Sequence, residues 1–161
     1  MHIWSRIRRL KLGHLYLLSL LFLSKPFLIG PTLKATKRTM VICDELFGQG
    51  HHRSNKTNAF RHALWNILIC NNTLKKTQNR EESIIWTEKV TNLYETVTDN
   101  GKMEKAMDLH NNKVGLKLFS VVFGKKEEEI ISILQNMMGK SQKVTDLDDF
   151  SKFKHDLVHL D

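Results

Sequence analysis

The sequence has few of the residues that mark several classes of protein. Among its 161 residues there are two cysteines, two prolines and eight glycines. Cys43 and Cys70 are too few for a disulfide scaffold or a Cys-rich zinc module. The low proline and glycine content excludes collagen-like and Pro/Gly-rich chains. Hydrophobic residues make up 41%, so the chain can bury the core of one globular domain.

Acidic residues are absent before Asp44. That stretch carries eight basic residues, whereas the chain from Asp44 onward has 17 basic and 17 acidic residues. The net charge of +8 therefore belongs to residues 1–43, and the rest of the chain is neutral. A basic body would have indicated nucleic acid, so no nucleic-acid partner is expected. A basic end around apolar residues instead favours contact with an anionic membrane surface.

The apolar run at residues 15–23, interrupted only by Ser19, leaves three interpretations open. A transmembrane helix needs about 20 apolar residues, and this run is shorter. A signal peptide has a basic start and a short apolar stretch, but no small-x-small cleavage site follows here. The favoured interpretation is a helix that packs on the body or lies at a membrane interface. We therefore expect a membrane-associated protein, peripheral or N-terminally anchored, with a cytoplasmic location as the alternative.

The patterning along the chain predicts an all-α fold, a compact helical bundle with an apolar and basic N-terminal helix. Strand alternation is scarce and helical spacing recurs. The predicted divisions are an N-terminal extension (1–43), a motif domain (44–123) and a C-terminal amphipathic helix with a docking tail (124–161). Helices are expected at about 3–23, 31–47, 58–70, 79–98, 103–119 (or beginning at Asp108) and 125–138, with a short docking helix within 145–161. Residues 48–56 form a polar loop, in which His51 and His52 are expected to be solvated.

One predicted helix carries an unusual polar stripe. Asn58, Arg61, His62, Trp65 and Asn66 recur at helical spacing and share one face, while the opposite face is apolar. Such a stripe either faces solvent or lines a cleft. The tryptophan argues against full exposure.

A second polar cluster lies further along the chain. Asp108, Asn111, Asn112 and Gly115 share one helical face. His110 lies about 200° from Asp108 on a continuous helix, so both reach one site only if Asp108 stands at or before the helix start. A glycine inside a helix costs about 1 kcal/mol relative to alanine, so it indicates close approach of a neighbouring helix or a bound group.

Glu95, which follows Tyr94, completes the set of candidate residues. His62, Asp108 and His110, with Glu95, could hold a divalent metal that activates water. Without a metal, a histidine paired with a carboxylate could act as a general base. Arg61 would bind a carboxylate or phosphate. The remaining residues expected to contact substrate are Trp65, Asn111 and Asn112. A cysteine nucleophile is poorly supported because Cys70 stands at an apolar helix end, and a serine nucleophile because there is no G-x-S-x-G motif.

A purely structural role is the alternative for the same residues. Asp108 could cap a helix, Arg61 could pair with Glu95 inside the bundle, and the two asparagines could satisfy buried backbone groups. The function would then be that of a non-catalytic module that binds a membrane or a protein partner.

The two long motifs resemble those of a bacterial domain family of unknown function, DUF6973. They are N-A-F-R-H-A-L-W at 58–65 and M-D-L-H-N-N-K-V-G at 107–115, and the resemblance covers about 44–123. It implies a helical domain with a shared site, but no reaction. Between the motifs, relatives usually have His-Glu where this chain has Tyr94 and Glu95. If that histidine were an essential ligand, this protein would be weakened or inactive.

These observations lead to two hypotheses. The first is a hydrolase, metal-dependent or not, that acts on an anionic or lipid-derived substrate at a membrane. Arg61 would bind the anion, and His62, Glu95, Asp108 and His110 would bind metal or transfer protons. The second is the non-catalytic module. The residues near 60, 95 and 110 must meet for the first hypothesis to hold.

Overall fold

The computed structural model describes residues 12–98 and 101–161, and it confirms the predicted all-α bundle. The predicted helix residues before Leu12 lie outside the described part. Within the described ranges, six α-helices, three short 3₁₀ helices and two short strands follow in order: α1 (Leu12–Ser24), Pro26–Leu28, α2 (Ile29–Phe47), Gly48–His52, α3 (Lys56–Thr77), α4 (Arg80–Val97), α5 (Lys102–Val122), α6 (Glu127–Gly139), β1 (Gln142–Lys143), Leu147–Ser151 and β2 (Val158–His159).

Helix α3 is the centre of the bundle. It packs against α2, α4, α5 and α6, and seven of its apolar side chains have no exposed surface, namely Ala59, Phe60, Ala63, Leu64, Ile67, Ile69 and Cys70. A helix that is apolar on several sides can be buried on all of them. Because α3 is central, the polar residues on it face other helices, and solvent reaches only a few of them.

Side-chain caps fix where the central helices begin. The Asn55 side chain accepts hydrogen bonds from the backbone N–H groups of Thr57 and Asn58, which starts α3. The Asn79 side chain accepts one from the N–H of Glu82 and starts α4. Helix α3 continues to Thr77, seven residues beyond the predicted end at Cys70, because Thr73 is buried and Leu74 packs on the core.

The prediction of a short docking helix within residues 145–161 is wrong. In its place β1 pairs in parallel with β2, and the chain between them forms the 3₁₀ helix Leu147–Ser151. The reason lies in α5: the Asn111 side chain donates to the Val158 carbonyl and accepts from the Val158 N–H, both at 2.9 Å. An extended backbone can offer both groups to one amide, and a helix interior cannot.

The N-terminal helix α1 packs on the body through one narrow side. Its Leu21 and Phe22 contact the core, whereas Tyr16, Leu20 and Leu23 are exposed. Among the described residues, no helix combines the length and the apolar character that a membrane span requires.

Candidate functional site

The sequence-predicted residues near 60, 95 and 108 meet inside the bundle. His62 on α3 lies between Glu95 on α4 and Asp108 on α5. Its Nδ1 is 3.6 Å from Glu95 Oε1, and its Nε2 is 3.1 Å from Asp108 Oδ1. One potential ligand atom from each of the three lies within 4.8 Å of the other two. We call His62, Glu95 and Asp108 the central cluster.

Three asparagine and threonine side chains fix the orientation of the His62 ring. Asn66 Nδ2 donates to the backbone carbonyl of His62 at 2.9 Å and to Asn112 Oδ1 at 2.8 Å. Thr91 Oγ1 donates to the other end of the Asn66 amide. Asn112 Oδ1 is therefore the acceptor that faces His62 Nδ1, at 3.0 Å. The proton of a neutral His62 accordingly sits on Nδ1.

The other ring nitrogen of His62 is then a lone-pair atom beside a carboxylate. Arg61 Nη2 donates to Nε2 at 2.8 Å, and Asp108 Oδ1 lies 3.1 Å from the same nitrogen. Two lone-pair atoms at this separation attract a cation that both can share. Their distance is close to the separation of about 3.3 Å between ligand atoms of a tetrahedral ion with bonds of about 2.0 Å.

The central cluster is buried. His62 is 2%, Glu95 0% and Asp108 5% exposed. Burying carboxylates is costly unless each is paired, and the neighbouring His62 and Arg61 supply positive or polar partners. The sequence predicted that these residues meet, which is correct. Arg61 and Trp65, on the same helix, are partly exposed.

Asn112 has one more group that matters for binding. Its Nδ2 is buried and makes no hydrogen bond among the described residues. A buried donor without an acceptor costs about 1–3 kcal/mol. Because Asn112 Oδ1 faces His62, the other end of the same amide places this donor next to the central cluster.

Gly115 accounts for how closely α3 and α5 approach. A β-carbon there would lie 2.6 Å from the carbonyl oxygen of Ala63 and 2.7 Å from its Cα. The close approach expected from sequence is therefore confirmed, and its partner is the backbone of α3. This contact lies one residue from His62 and two turns from Asp108, so it sets the spacing of the central cluster.

Trp65 and Tyr94 form the aromatic side of the site. Their rings meet edge to face with centroids 5.3 Å apart. The Trp65 indole N–H donates to Thr36 Oγ1 on α2 at 2.9 Å. Tyr94 thus packs on Trp65, while Glu95 faces His62 from the same helix.

The structure places His110 and Asn111 away from the central cluster, which corrects the expectation that they join it. His110 Nε2 donates to the backbone carbonyl of Asp156 at 3.0 Å, and Asn111 bonds Val158. The physical reason is that α5 begins at Lys102, so Asp108 and His110 lie on a continuous helix and point to different sides. Both residues hold the C-terminal segment. Burial lowers the pKa of His110.

A second cluster of histidines was missed at the sequence level. Residues 48–52 form a 3₁₀ helix that folds back on α2 and α3, so His51 is fully buried and His52 half-buried. His51 Nε2 bonds Asp44 Oδ1 at 2.9 Å, and the two imidazole rings lie 4.0 Å apart. One potential ligand atom of each of the three lies within 4.8 Å of the others. We call Asp44, His51 and His52 the outer cluster.

The pKa values in the outer cluster favour neutral imidazoles. Burial lowers the pKa of His51 and lowers that of His52 to about 4. The one signal in the sequence was a pair of adjacent histidines soon after Asp44, within a stretch whose polar composition resembles a solvated loop.

Arg61 links the two clusters. Its Nη2 bonds His62 in the central cluster, and its Nη1 lies 3.5 Å from His52 Nδ1 in the outer one. One guanidinium therefore contacts a histidine of each cluster, since its N–H donors point in different directions in a fixed fork.

The two cysteine thiols do not provide a further reactive site. Burial raises the pKa of Cys43 and of Cys70 to about 12, so both stay protonated and unreactive at neutral pH.

Sequence comparison identifies the family. Residues 19–142 match the sequence pattern of DUF6973, a domain of unknown function. The chain belongs to the DUF6973 family. No curated protein and no solved structure matches this chain. The DUF6973 match covers α2 to α6 and thus every helix that contributes to the central cluster.

Proposed function

We propose that this DUF6973 domain binds a divalent metal ion at the central cluster and uses it in hydrolysis of an anionic substrate. The observation that carries the proposal is the meeting of His62, Glu95 and Asp108 from three different helices within 4.8 Å. Imidazole and carboxylate together suit zinc, iron or manganese. Three protein ligands with a remaining open position are typical of catalytic metal sites.

Each surrounding residue has a role in this proposal. The Asn112 amide holds the Nδ1 proton of His62, so that Nε2 is directed to the ion, as the outer partners of metal-binding histidines do. A bound divalent ion lowers the pKa of water to near 7 and so supplies a nucleophile. The unpartnered Asn112 Nδ2 can donate to an oxygen of the ligand. Arg61 can bind a phosphate or carboxylate of the substrate in bidentate fashion.

Binding of an ion at the buried central cluster requires the Arg61 side chain to move. Arg61 donates to His62 Nε2, the atom that would bind the ion, so the guanidinium must turn away when an ion enters. The side chain is long, and part of it is exposed already. In turning it would carry its charge toward solvent, where an anionic substrate arrives.

Elemental analysis and calorimetric titration with Zn²⁺ and Mn²⁺ test the proposal. We expect wild-type protein to bind an ion at the central cluster, and the nearly isosteric variants His62→Gln and Asp108→Asn to lose it with unchanged circular dichroism. His155→Gln, an exposed histidine of the C-terminal segment, is the matched control and should bind as wild type. Folded wild-type protein whose metal content does not respond to either central variant would overturn the proposal.

The second candidate function is the non-catalytic module, and the burial of the cluster favours it. His62, Asn66, Asn112 and Thr91 form a continuous hydrogen-bonded chain across three helices. A hydrogen-bonded network of this kind is sufficient to fix how the helices pack, without any catalytic role. Under this alternative, no metal binds, and Asp108→Ala destabilises the fold without affecting any turnover.

We further propose that α1 contacts an anionic membrane surface. The support is the exposed apolar surface formed by Tyr16, Leu17, Leu20, Leu23 and the adjacent Phe27, together with the excess of basic residues in 1–43. Apolar contact combined with basic charge is the pattern of interfacial binding. Co-sedimentation with phosphatidylserine vesicles should be strong, weaken with phosphatidylcholine vesicles, and fall in the double variant Leu20→Glu and Leu23→Glu.

A further inference from the structure

The outer cluster is built from the end of α2 and the 3₁₀ helix that follows it. Asp44 lies on the last turns of α2, and His51 and His52 follow after the turn at Gly48. Gly48 has a φ of 55°, a conformation that glycine adopts without strain. The sharp reversal brings His51 Nε2 to 2.9 Å from Asp44 Oδ1. The end of α2 and the 3₁₀ helix therefore position all three side chains.

One nitrogen of the outer cluster has no hydrogen-bond partner in the part of the chain that the structure describes. This nitrogen is Nδ1 of His51, which is fully buried, while His51 Nε2 is bonded to the Asp44 carboxylate. A carboxylate accepts, so Nε2 carries the proton when no ion is bound. An ion bound by all three residues would take the place of this proton between Nε2 and the Asp44 carboxylate, and the imidazole proton would move to Nδ1, which no other group occupies in the described residues.

Access from solvent distinguishes the outer cluster from the central one. The Asp44 side chain is 49% exposed, and His52 is half-buried. An ion can therefore reach this cluster without opening the helical bundle. Two imidazoles and one carboxylate form a donor set that suits Zn²⁺ with water in the remaining position.

We propose that Asp44, His51 and His52 form a second divalent metal site, of the type that binds Zn²⁺. It is separate from the central cluster and connected to it by Arg61, which contacts His52 on one side and His62 on the other. The two sites thus face one guanidinium, which must move for an ion to enter either one. This second site does not depend on the central cluster binding metal.

The test uses untagged full-length protein in which the central site is disabled. Zn²⁺ is titrated into His62→Gln, with Co²⁺ absorption as a second readout of ligand geometry. We expect one ion to remain bound, and its affinity to fall at least about hundredfold when His52→Gln or Asp44→Asn is added. His155→Gln in the same background is the matched control and should leave the affinity unchanged.

The outcomes separate the two metal proposals. Loss of the remaining ion on His52→Gln supports the outer site whether or not the central cluster binds metal. A folded His62→Gln protein that binds no Zn²⁺ would overturn the outer site, as would a bound ion that neither Asp44→Asn nor His52→Gln affects. Asp44 is exposed, so its variant should fold even where replacement of a buried histidine does not.

Discussion

Gly115 on α5 lies against the backbone of Ala63 on α3, where a β-carbon would come within 2.6 Å of the Ala63 carbonyl oxygen. Backbone atoms cannot be displaced as the end of a flexible side chain can. The two helices that carry His62 and Asp108 are therefore held together at a distance only glycine permits. Two long motifs, separate in sequence, meet at this contact.

Gly115→Ala should destabilise the fold by about 1–3 kcal/mol, because the added methyl group forces α3 and α5 apart. The gain in helix propensity of about 1 kcal/mol offsets only part of that. Urea unfolding measures the change in the free energy of unfolding. Gly30→Ala, in the first turn of α2 with nothing within 4 Å of the added β-carbon, is the control and should be neutral or stabilising. Equal effects of the two variants would contradict the close contact.

Asn112→Ala should also destabilise the protein, by about 1–3 kcal/mol. The variant leaves His62 Nδ1 and Asn66 Nδ2 without the acceptor that both now use. It also frees the His62 ring to rotate, so affinity for Zn²⁺ at the central cluster should fall. Thermal unfolding and Zn²⁺ titration check the two effects. Asn72→Ala, which removes only a 3.5 Å contact at the far end of α3, should change neither quantity appreciably.

The polar faces that form the central cluster could be predicted from sequence, because each depends on the local periodicity of one helix. Arg61, His62 and Asn66 share a helical face whatever the fold, and Asp108 and Asn112 are one turn apart. His110 could not be placed because its direction depended on where α5 begins. Once α5 starts at Lys102, about 200° separates His110 from Asp108, and the histidine must face the C-terminal segment.

The outer cluster could not be predicted, because its burial comes from tertiary packing. Residues 48–56 are polar and glycine-containing, which is typical of a solvated loop. Only the reversal at Gly48 and the packing of the following turn on α3 bury His51. In the same way, the strand pairing of Val158 depends on a side chain 47 residues away, and no pattern within 145–161 encodes it.

Stability should fall as the pH drops below about 6.5, and His110 should contribute to that fall. Burial lowers its pKa in the folded state, whereas the unfolded chain has the usual value near 6.5. The unfolded state then binds more protons below pH 6.5, so its contribution to stability is complete above that pH and is lost as the pH falls. His51, His52 and His159, whose pKa values are also lowered by burial, act in the same direction.

Urea unfolding at about pH 5 and about pH 7.5 measures the His110 contribution through His110→Gln. The variant should lose stability at the higher pH, because the bond to the Asp156 carbonyl is changed. The free energy of unfolding of the variant should change less between the two pH values than that of wild type. The difference between the two proteins is at most about 1.4 kcal/mol per pH unit, the value for one proton. His155→Gln is the exposed control. An unchanged pH dependence in His110→Gln would contradict the role of His110.

Arg61→Gln should raise the affinity for Zn²⁺ rather than lower it. The guanidinium donates to His62 Nε2 and lies 3.5 Å from His52 Nδ1, so it holds positive charge and donors at the lone pairs that both proposed metal sites would use. Glutamine removes the charge and retains much of the polar side chain. Because charge repulsion at these distances is worth at least about 1.4 kcal/mol in a partly buried setting, the dissociation constant should fall at least about tenfold.

Arg61→Lys distinguishes charge from the shape of the side chain. Lysine keeps the positive charge but lacks the planar fork, so Zn²⁺ affinity should stay close to that of wild type while binding of an anionic substrate weakens. Competition with a chromogenic chelator measures the affinities of the three proteins side by side. If Arg61→Gln binds Zn²⁺ no better than wild type, Arg61 does not compete with an ion. The contacts of Arg61 with His62 and His52 then serve the packing of the bundle, as the non-catalytic alternative requires.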